Sequence, residues 1–399
     1  MARKQKKVKV LWLGDAVTPT GFARVNHSIQ ANLPKYKYDL HQLGINYYGD
    51  PHEFPVKVYP AATKGHVYGF NRIKEFADNN FDLIFILNDL WIINEYLKEI
   101  KQAFGSHIPK IVTYMPMDST LPDRSWFEHF DIVDRVCVYT QFGYDTVKEV
   151  HPNIDLTIVP HGIDTDTFYK FDKPKIECKM GVFPAEKSFL ESWIVLNANR
   201  NQPRKRNDIA FEGFAQFAQD KPKPVKYYHH AGIEDMGWDI LRLSNKLGKK
   251  YDFNLEERLI VTNMNRNVQS VTDEQLNVIY NATDVGINAS LGEGWGLTNV
   301  EHAITGSAQV VPDHSACREL FHDVGRLIET SQELCFEKTL TYGKLVTPEA
   351  IAEQLQFLWD NPDEKAKLEK AALKKFTAPE YSWKSVATTW HNIFGSVLK

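Results

Sequence analysis

The chain has 399 residues, 43% of them hydrophobic, and a formal net charge of −4. That length predicts two cores rather than one, and the charge argues against general nucleic-acid binding. No stretch approaches the ~18 uncharged apolar residues of a membrane span, and the basic start lacks a signal peptide's apolar segment, so a cytoplasmic protein without a transmembrane segment is expected. Cys137, Cys178, Cys317 and Cys335 are scattered without C-x2-C spacing, which suggests neither a zinc site nor a disulfide framework. The basic run over 4–9 reads as a solvated tail, with contact to anionic lipid as the alternative.

From Val8 the chain alternates short β-rich runs with helical stretches: a strand over 8–13 and a helix over 26–33; strands over 83–87, 111–114 and 136–139; a helix over 144–149; a strand over 156–159. This alternation predicts a parallel sheet with helices on both faces. A second series begins with a strand over 193–196 and continues over 225–228, 259–261, 285–287 and 309–311. Between them, 171–188 is rich in Lys, Pro and Glu, lacks periodicity and reads as a linker. The expected organisation is a Rossmann-like domain over 1–170, the linker, a second such domain over 189–376 and a terminal helix within 377–399. In that helix Trp383, Val386, Trp390, Ile393 and Phe394 share one side. It packs either on its own domain or back on the first.

The most informative run is Ser290-Leu-Gly-Glu-Gly-Trp-Gly-Leu-Thr-Asn-Val-Glu301. A β-rich run precedes it, and Leu297, Val300 and Ile304 recur at helical spacing after it, so the glycines mark a strand-to-helix turn. Such a turn directs free backbone N–H groups and the positive end of a helix at whatever lies above it, and Gly294 and Gly296 let an anion approach the backbone. A phosphate alone would not call for two acids. A sugar attached to a nucleotide would, because carboxylates hydrogen-bond hydroxyls well. The plainer alternatives are a solvated helix-face acid at Glu301 and an ordinary loop acid at Glu293.

Glu293, seven intervening residues and Glu301, followed by the small-residue run 303–312 and then Ser315-Ala-Cys-Arg-Glu-Leu320, resemble the signature of retaining GT-B glycosyltransferases of family 4. The resemblance extends over nearly the whole chain. It implies an α/β chain of GT-B architecture, with two Rossmann-like doubly wound domains facing a central cleft, an acceptor-side first domain, a nucleotide-sugar-binding second domain and a terminal helix returning to the first. Arg200 and Lys205, directly after the first strand of the second domain, match the R-x4-K spacing with which the family grips the donor diphosphate. Fixed cations there would favour the transition state, in which charge builds on the departing diphosphate. Arg204 and Arg206 lie outside that match and read as surface charge.

Further expectations rest on the same likeness. Glu293 would hold sugar hydroxyls, Glu301 the ribose, and the backbone of Gly294, Trp295, Gly296, Leu297 and Thr298 the diphosphate. Gly21 corresponds to the family's first glycine loop, and His161 opens the segment leading to its hinge. Asp164-Thr-Asp166 mimics a metal-binding D-x-D but stands in that hinge, so neither a metal nor another cofactor is expected. Many family members carry a sugar-contacting histidine where this chain has Met117 and Asp118; Asp118 either takes over the hydroxyl contact or caps the next turn. Asn263 and Asn265 are expected to help form the base pocket, and His229 and His230 either line the cleft or are structural.

The function these features imply is retaining, metal-independent transfer of a hexose from a nucleotide diphosphate sugar to a hydroxyl of a glycan or other acceptor. GDP-mannose is favoured as donor over a UDP-glucose type, and a homodimer stays open. Two rivals remain: a non-catalytic sugar-nucleotide-binding protein, and a dinucleotide-dependent oxidoreductase. Against the second, Gly292-Glu-Gly294 lacks the third glycine of G-x-G-x-x-G.

Overall fold

A computed structural model describes residues 6–183, 187–222, 224–233, 235–262 and 271–399. The chain forms two compact units. The first runs through Met117, resumes over Leu121–Gly162 and takes in Pro379–Lys399; the second comprises Ile163–Ala378 and the short segment Asp118–Thr120.

Unit 1 holds a seven-stranded parallel sheet of β1 (Val8–Asp15), β2 (Tyr38–Ile45), β3 (Lys57–Pro60), β4 (Leu83–Leu87), β5 (Lys110–Met115), β6 (Arg135–Val138) and β7 (Leu156–Ile158), in the order β3-β2-β1-β4-β5-β6-β7. Its central strands read as continuous apolar runs because helices cover both faces: all five residues of β4 are buried. The sequence reading missed β2 and β3. In β2, Tyr-Asp-Leu-His-Gln-Leu-Gly-Ile mixes buried and exposed positions, so it carries neither an apolar run nor a clean alternation.

The terminal helix, Trp383–Val397, packs on unit 1. The Trp390 ring lies 5.0 Å from Phe85 and 4.7 Å from Tyr114, and Phe394 lies 6.4 Å from Trp12. Gly162 makes room for it, since a Cβ there would fall 2.5 Å from the Trp383 ring. Each large apolar side chain buried in this way is worth roughly 1.5–3 kcal/mol.

Unit 2 has a six-stranded parallel sheet of β8 (Trp193–Asn197), β9 (Val225–His229), β10 (Leu259–Val261), β11 (Val285–Ile287), β12 (Ala308–Pro312) and β13 (Arg326–Ile328), ordered β10-β9-β8-β11-β12-β13. Strand order reverses between β8 and β11, which makes the carboxyl ends of those strands the expected ligand position. An antiparallel hairpin of β14 (Thr330–Cys335) and β15 (Tyr342–Val346) follows.

The region expected to be a linker differs. The chain divides at Gly162 rather than 170, and the stretch after it carries the helix Lys175–Met180. This helix is too short and too charged to show periodicity, yet it is tied to the sheet. Lys175 Nζ donates to the Thr283 carbonyl at 2.5 Å and lies 3.6 Å from Asp284 Oδ1, and Lys179 Nζ lies 3.3 Å from Asp284 Oδ2. Asp284 Oδ2 also accepts the Ile194 N–H at 2.9 Å, so one buried carboxylate joins helix, β8 and β11.

Candidate active site

The glycine turn leaves β11 at its carboxyl end. The Asn288 side chain turns the chain by accepting the Ser290 N–H at 2.7 Å, and Gly296, at φ +88°, starts the seven-residue helix Leu297–Ala303 from a left-handed conformation that favours glycine. Gly292 is required for a different reason: a Cβ there would stand 1.6 Å from the Asp118 carbonyl oxygen.

Glu293 lies at the centre of this turn, with its side chain only 6% exposed. Its N–H donates to Ser315 Oγ at 3.0 Å. Its Oε1 accepts from the Lys205 ammonium, from Asn288 Nδ2 at 3.0 Å and from Ser290 Oγ at 2.7 Å, while Arg204 Nη1 lies 3.8 Å from Oε2. Burial by itself would raise the Glu293 pKa. The charges of Lys205 and Arg204 and the hydrogen bonds from Lys205 and Asn288 outweigh it and hold the carboxyl at about 2. Burial acts in the opposite sense on Lys205, pulling its ammonium below the usual range despite Glu293. Glu293 is ionised at neutral pH, and the pair is enclosed.

The two cations of the R-x4-K match are placed differently. Lys205 is against Glu293, whereas Arg200 is half exposed and pairs with the buried Asp235, Nε to Oδ2 at 2.7 Å and Nη2 to Oδ1 at 3.4 Å. Arg204, read from sequence as surface charge, instead joins the site. Its Nη1 donates to the Gly292 carbonyl at 2.9 Å and lies 3.5 Å from Asp118 Oδ2, and its own carbonyl accepts the Leu291 N–H at 2.9 Å. Spacing offers no signal for that role. Arg206 pairs with Asp208, Nη2 to Oδ2 at 2.7 Å.

Glu301 is buried and its Oε2 accepts from the Tyr280 hydroxyl at 3.3 Å. Trp295 is buried, whereas Gly294, Gly296, Leu297 and Thr298 are partly open. Beneath the turn runs a chain of buried amides that the sequence reading did not anticipate. Asn288 Nδ2 donates to Asn299 Oδ1 at 2.9 Å, Asn299 Nδ2 to Gln309 Oε1 at 3.0 Å, and Asn197 Nδ2 to Asn207 Oδ1 at 2.9 Å. Each satisfies another, which is what buried polar groups require, and together they stiffen the carboxyl ends of β8 and β11. Their only signal was the recurrence of Asn just beyond predicted strands.

Asn263 and Asn265 lie outside the described residues. His229 and His230 are both buried and neutral, held near pKa 4 by desolvation; His230 Nδ1 is 3.0 Å from Thr262 Oγ1. In unit 1, Gly21 opens the helix Gly21–Asn32, whose N-cap Thr20 also donates to Asp15 Oδ2 at 2.6 Å. His161 is enclosed by aromatic rings, 4.1 Å from Tyr139 between centroids, with Nδ1 2.7 Å from the Tyr114 hydroxyl; burial takes its pKa to about 3. Asp164 Oδ1 accepts the N–H groups of Asp166 and Thr167, an Asx turn that engages one member of the D-x-D. Among the described residues, no three His, Cys, Asp or Glu side chains gather as a metal site, and no helix is long and apolar enough to cross a membrane.

No protein-family model and no curated protein matches this sequence. Solved structures do match along the whole chain. Sucrose-phosphate synthase from Thermosynechococcus elongatus is 14% identical with a TM-score of 0.72, covering 98% of this chain and 99% of its own. Anabaena HepE, solved with UDP and glucose, is 15% identical with a TM-score of 0.70 over 98% and 100%. The trehalose-6-phosphate synthase of Burkholderia multivorans is 11% identical with a TM-score of 0.69 over 98% and 99%. These neighbours are GT-B glycosyltransferases, and the two parallel-sheet Rossmann-like units of this chain have their fold.

Proposed function

We propose that the chain is a glycosyltransferase that moves a hexose from a nucleoside diphosphate sugar to an acceptor hydroxyl with retention of anomeric configuration, as in family 4. The observation that carries this reading is Glu293: a buried, ionised carboxylate on a glycine turn at the β8/β11 switch point, paired with the lysine of R-x4-K. A buried ionised carboxylate with a strongly perturbed pKa marks a candidate functional site, and polyhydroxyl recognition beside a diphosphate is a function that uses it.

In the proposed cycle the donor diphosphate takes over Lys205 and draws Arg200 from Asp235, with backbone N–H groups at Gly296 to Thr298 completing the cradle. Glu293 holds sugar hydroxyls and favours the oxocarbenium-like transition state, and Glu301 holds the ribose. Asp118, 32% exposed beside Arg204, is the residue of this cluster that can meet a further hydroxyl. The departing diphosphate helps deprotonate the acceptor, so no protein nucleophile is needed, and Lys205 and Arg200 do the work that other transferases give to a divalent ion.

For the donor we now favour a uridine diphosphate hexose over GDP-mannose, since HepE is solved with UDP-glucose. The decisive experiment titrates UDP-glucose, GDP-mannose and related donors by calorimetry, then follows turnover with excess EDTA and reads the product's anomeric configuration by NMR. Binding and transfer that survive EDTA with configuration kept are expected. Inversion would remove the family 4 reading, and binding without turnover for any acceptor would leave a sugar-nucleotide-binding protein.

A further inference from the structure

Arg204 stands between two carboxylates, Asp118 and Glu293. Its Nη1 is 3.5 Å from Asp118 Oδ2 and 3.8 Å from Glu293 Oε2, and it donates to the Gly292 carbonyl at 2.9 Å. Its backbone is fixed to the same turn through Leu291, whose carbonyl in turn accepts the Lys344 N–H of β15 at 2.8 Å. On the other side, Thr120 exchanges both backbone bonds with Tyr342, at 2.8 and 3.1 Å, and Ser119 Oγ donates to Thr341 Oγ1 at 3.0 Å. The Gly292 peptide is thus clamped by Asp118–Thr120, β15 and Arg204 together. The guanidinium is tied to that clamped peptide through the Gly292 carbonyl.

Lys205 differs, being a flexible point charge on a four-carbon stem, suited to change partners. If it turns to a diphosphate, as the proposed function requires, Glu293 keeps only the neutral donors Asn288 and Ser290 among its close partners, in a setting whose burial opposes the ionised form. The titratable and charged groups around Glu293 are Lys205, Arg204, Asp118 behind Arg204, and the buried thiol of Cys317, which itself feels the Glu293 charge. Of these, only Arg204 is both cationic and anchored.

We propose that Arg204 is a positioning residue that holds the Glu293 carboxylate ionised and its turn in place once Lys205 has passed to the donor diphosphate. This inference rests on the proposed transferase reading, but its physical core is testable without activity. In Lys205→Met, which imitates the departed lysine, the Glu293 carboxyl is titrated by carbon NMR, then again in Lys205→Met/Arg204→Gln. The pKa should rise by about one unit or more on loss of Arg204, the effect of an opposite charge within roughly 4–6 Å. Equal values in the two proteins would overturn the proposal whatever the enzyme does.

The kinetic arm uses single variants. Arg204→Gln should keep nucleoside diphosphate affinity within about twofold, lose roughly tenfold or more in kcat, and move the acid limb of the kcat profile up by about a unit, because that limb reports the donor complex. Arg204→Lys restores the charge without the Gly292 bond, so the limb should return while kcat stays below wild type. A diphosphate affinity that falls in step with kcat would make Arg204 a donor ligand and overturn the positioning role. If Arg204→Gln does not fold, Arg204→Lys decides alone: wild-type kcat would refute the clamp. A wild-type protein that binds no nucleotide sugar would sink the transferase reading while the NMR comparison still judges Arg204.

Discussion

Lys205→Met tests the electrostatics of the site before any substrate is known. Glu293 is held at about 2 against an ordinary 4.5, and at ~1.36 kcal/mol per unit this is about 3 kcal/mol of stabilisation of the charged form. Methionine keeps the stem's packing and removes the charge, leaving Asn288, Ser290 and the more distant Arg204. Breaking a buried pair from one side costs about 3–5 kcal/mol, so a loss of about 3 kcal/mol at pH 7 is expected. The sign with pH follows. A carboxyl depressed in the folded state stabilises above pH 4.5, and that contribution fades as pH falls towards 2; the mutational cost should shrink over the same range. Urea unfolding of Lys205→Met, Glu293→Gln and the double variant measures it, the double costing clearly less than the sum. A Lys205→Met loss under about 1 kcal/mol at pH 7, or strict additivity with Glu293→Gln, would refute the coupling.

Lys205→Ala should weaken nucleoside diphosphate binding by roughly 1.5–3 kcal/mol in calorimetry, and Arg200→Ala by less, because freeing Arg200 from Asp235 offsets part of its contact; unchanged affinity in both would take these residues out of the donor site. Glu293→Gln should lower kcat more than it raises donor KM and Glu301→Ala should do the reverse, a division that a shared kinetic pattern would disprove. His161, His229, His230, His302 and His314 are buried with pKa values of about 3 to 4, so the unfolded chain takes up protons first; thermal stability should decline as pH falls from about 6.5 towards 4, each histidine contributing up to about 3 kcal/mol. Both ring nitrogens of His229 are buried without a hydrogen bond, so His229→Phe should leave the melting midpoint at pH 7 unchanged or higher and reduce the drop at pH 5; a loss above about 2 kcal/mol would contradict this.

The sequence by itself determined the βα alternation and the position of the turn, because both are written in local periodicity. Apolar runs such as 83–87 and 285–287, bounded by turn residues, fit strands covered on both faces, and Gly292, Gly294 and Gly296 before a helical pattern mark a turn. Strand β2 and the helix Lys175–Met180 were not legible, since the first is half polar and the second is held by Asp284, a residue more than a hundred positions away. The same holds within the site. Spacing ranked Arg200 with Lys205 and set Arg204 aside, but spacing reports neighbours along one chain. Tertiary structure decided that Lys205 and Arg204 face Glu293 while Arg200 faces Asp235, because a charge finds its partner by distance in space and by burial, neither of which is a property of the linear sequence.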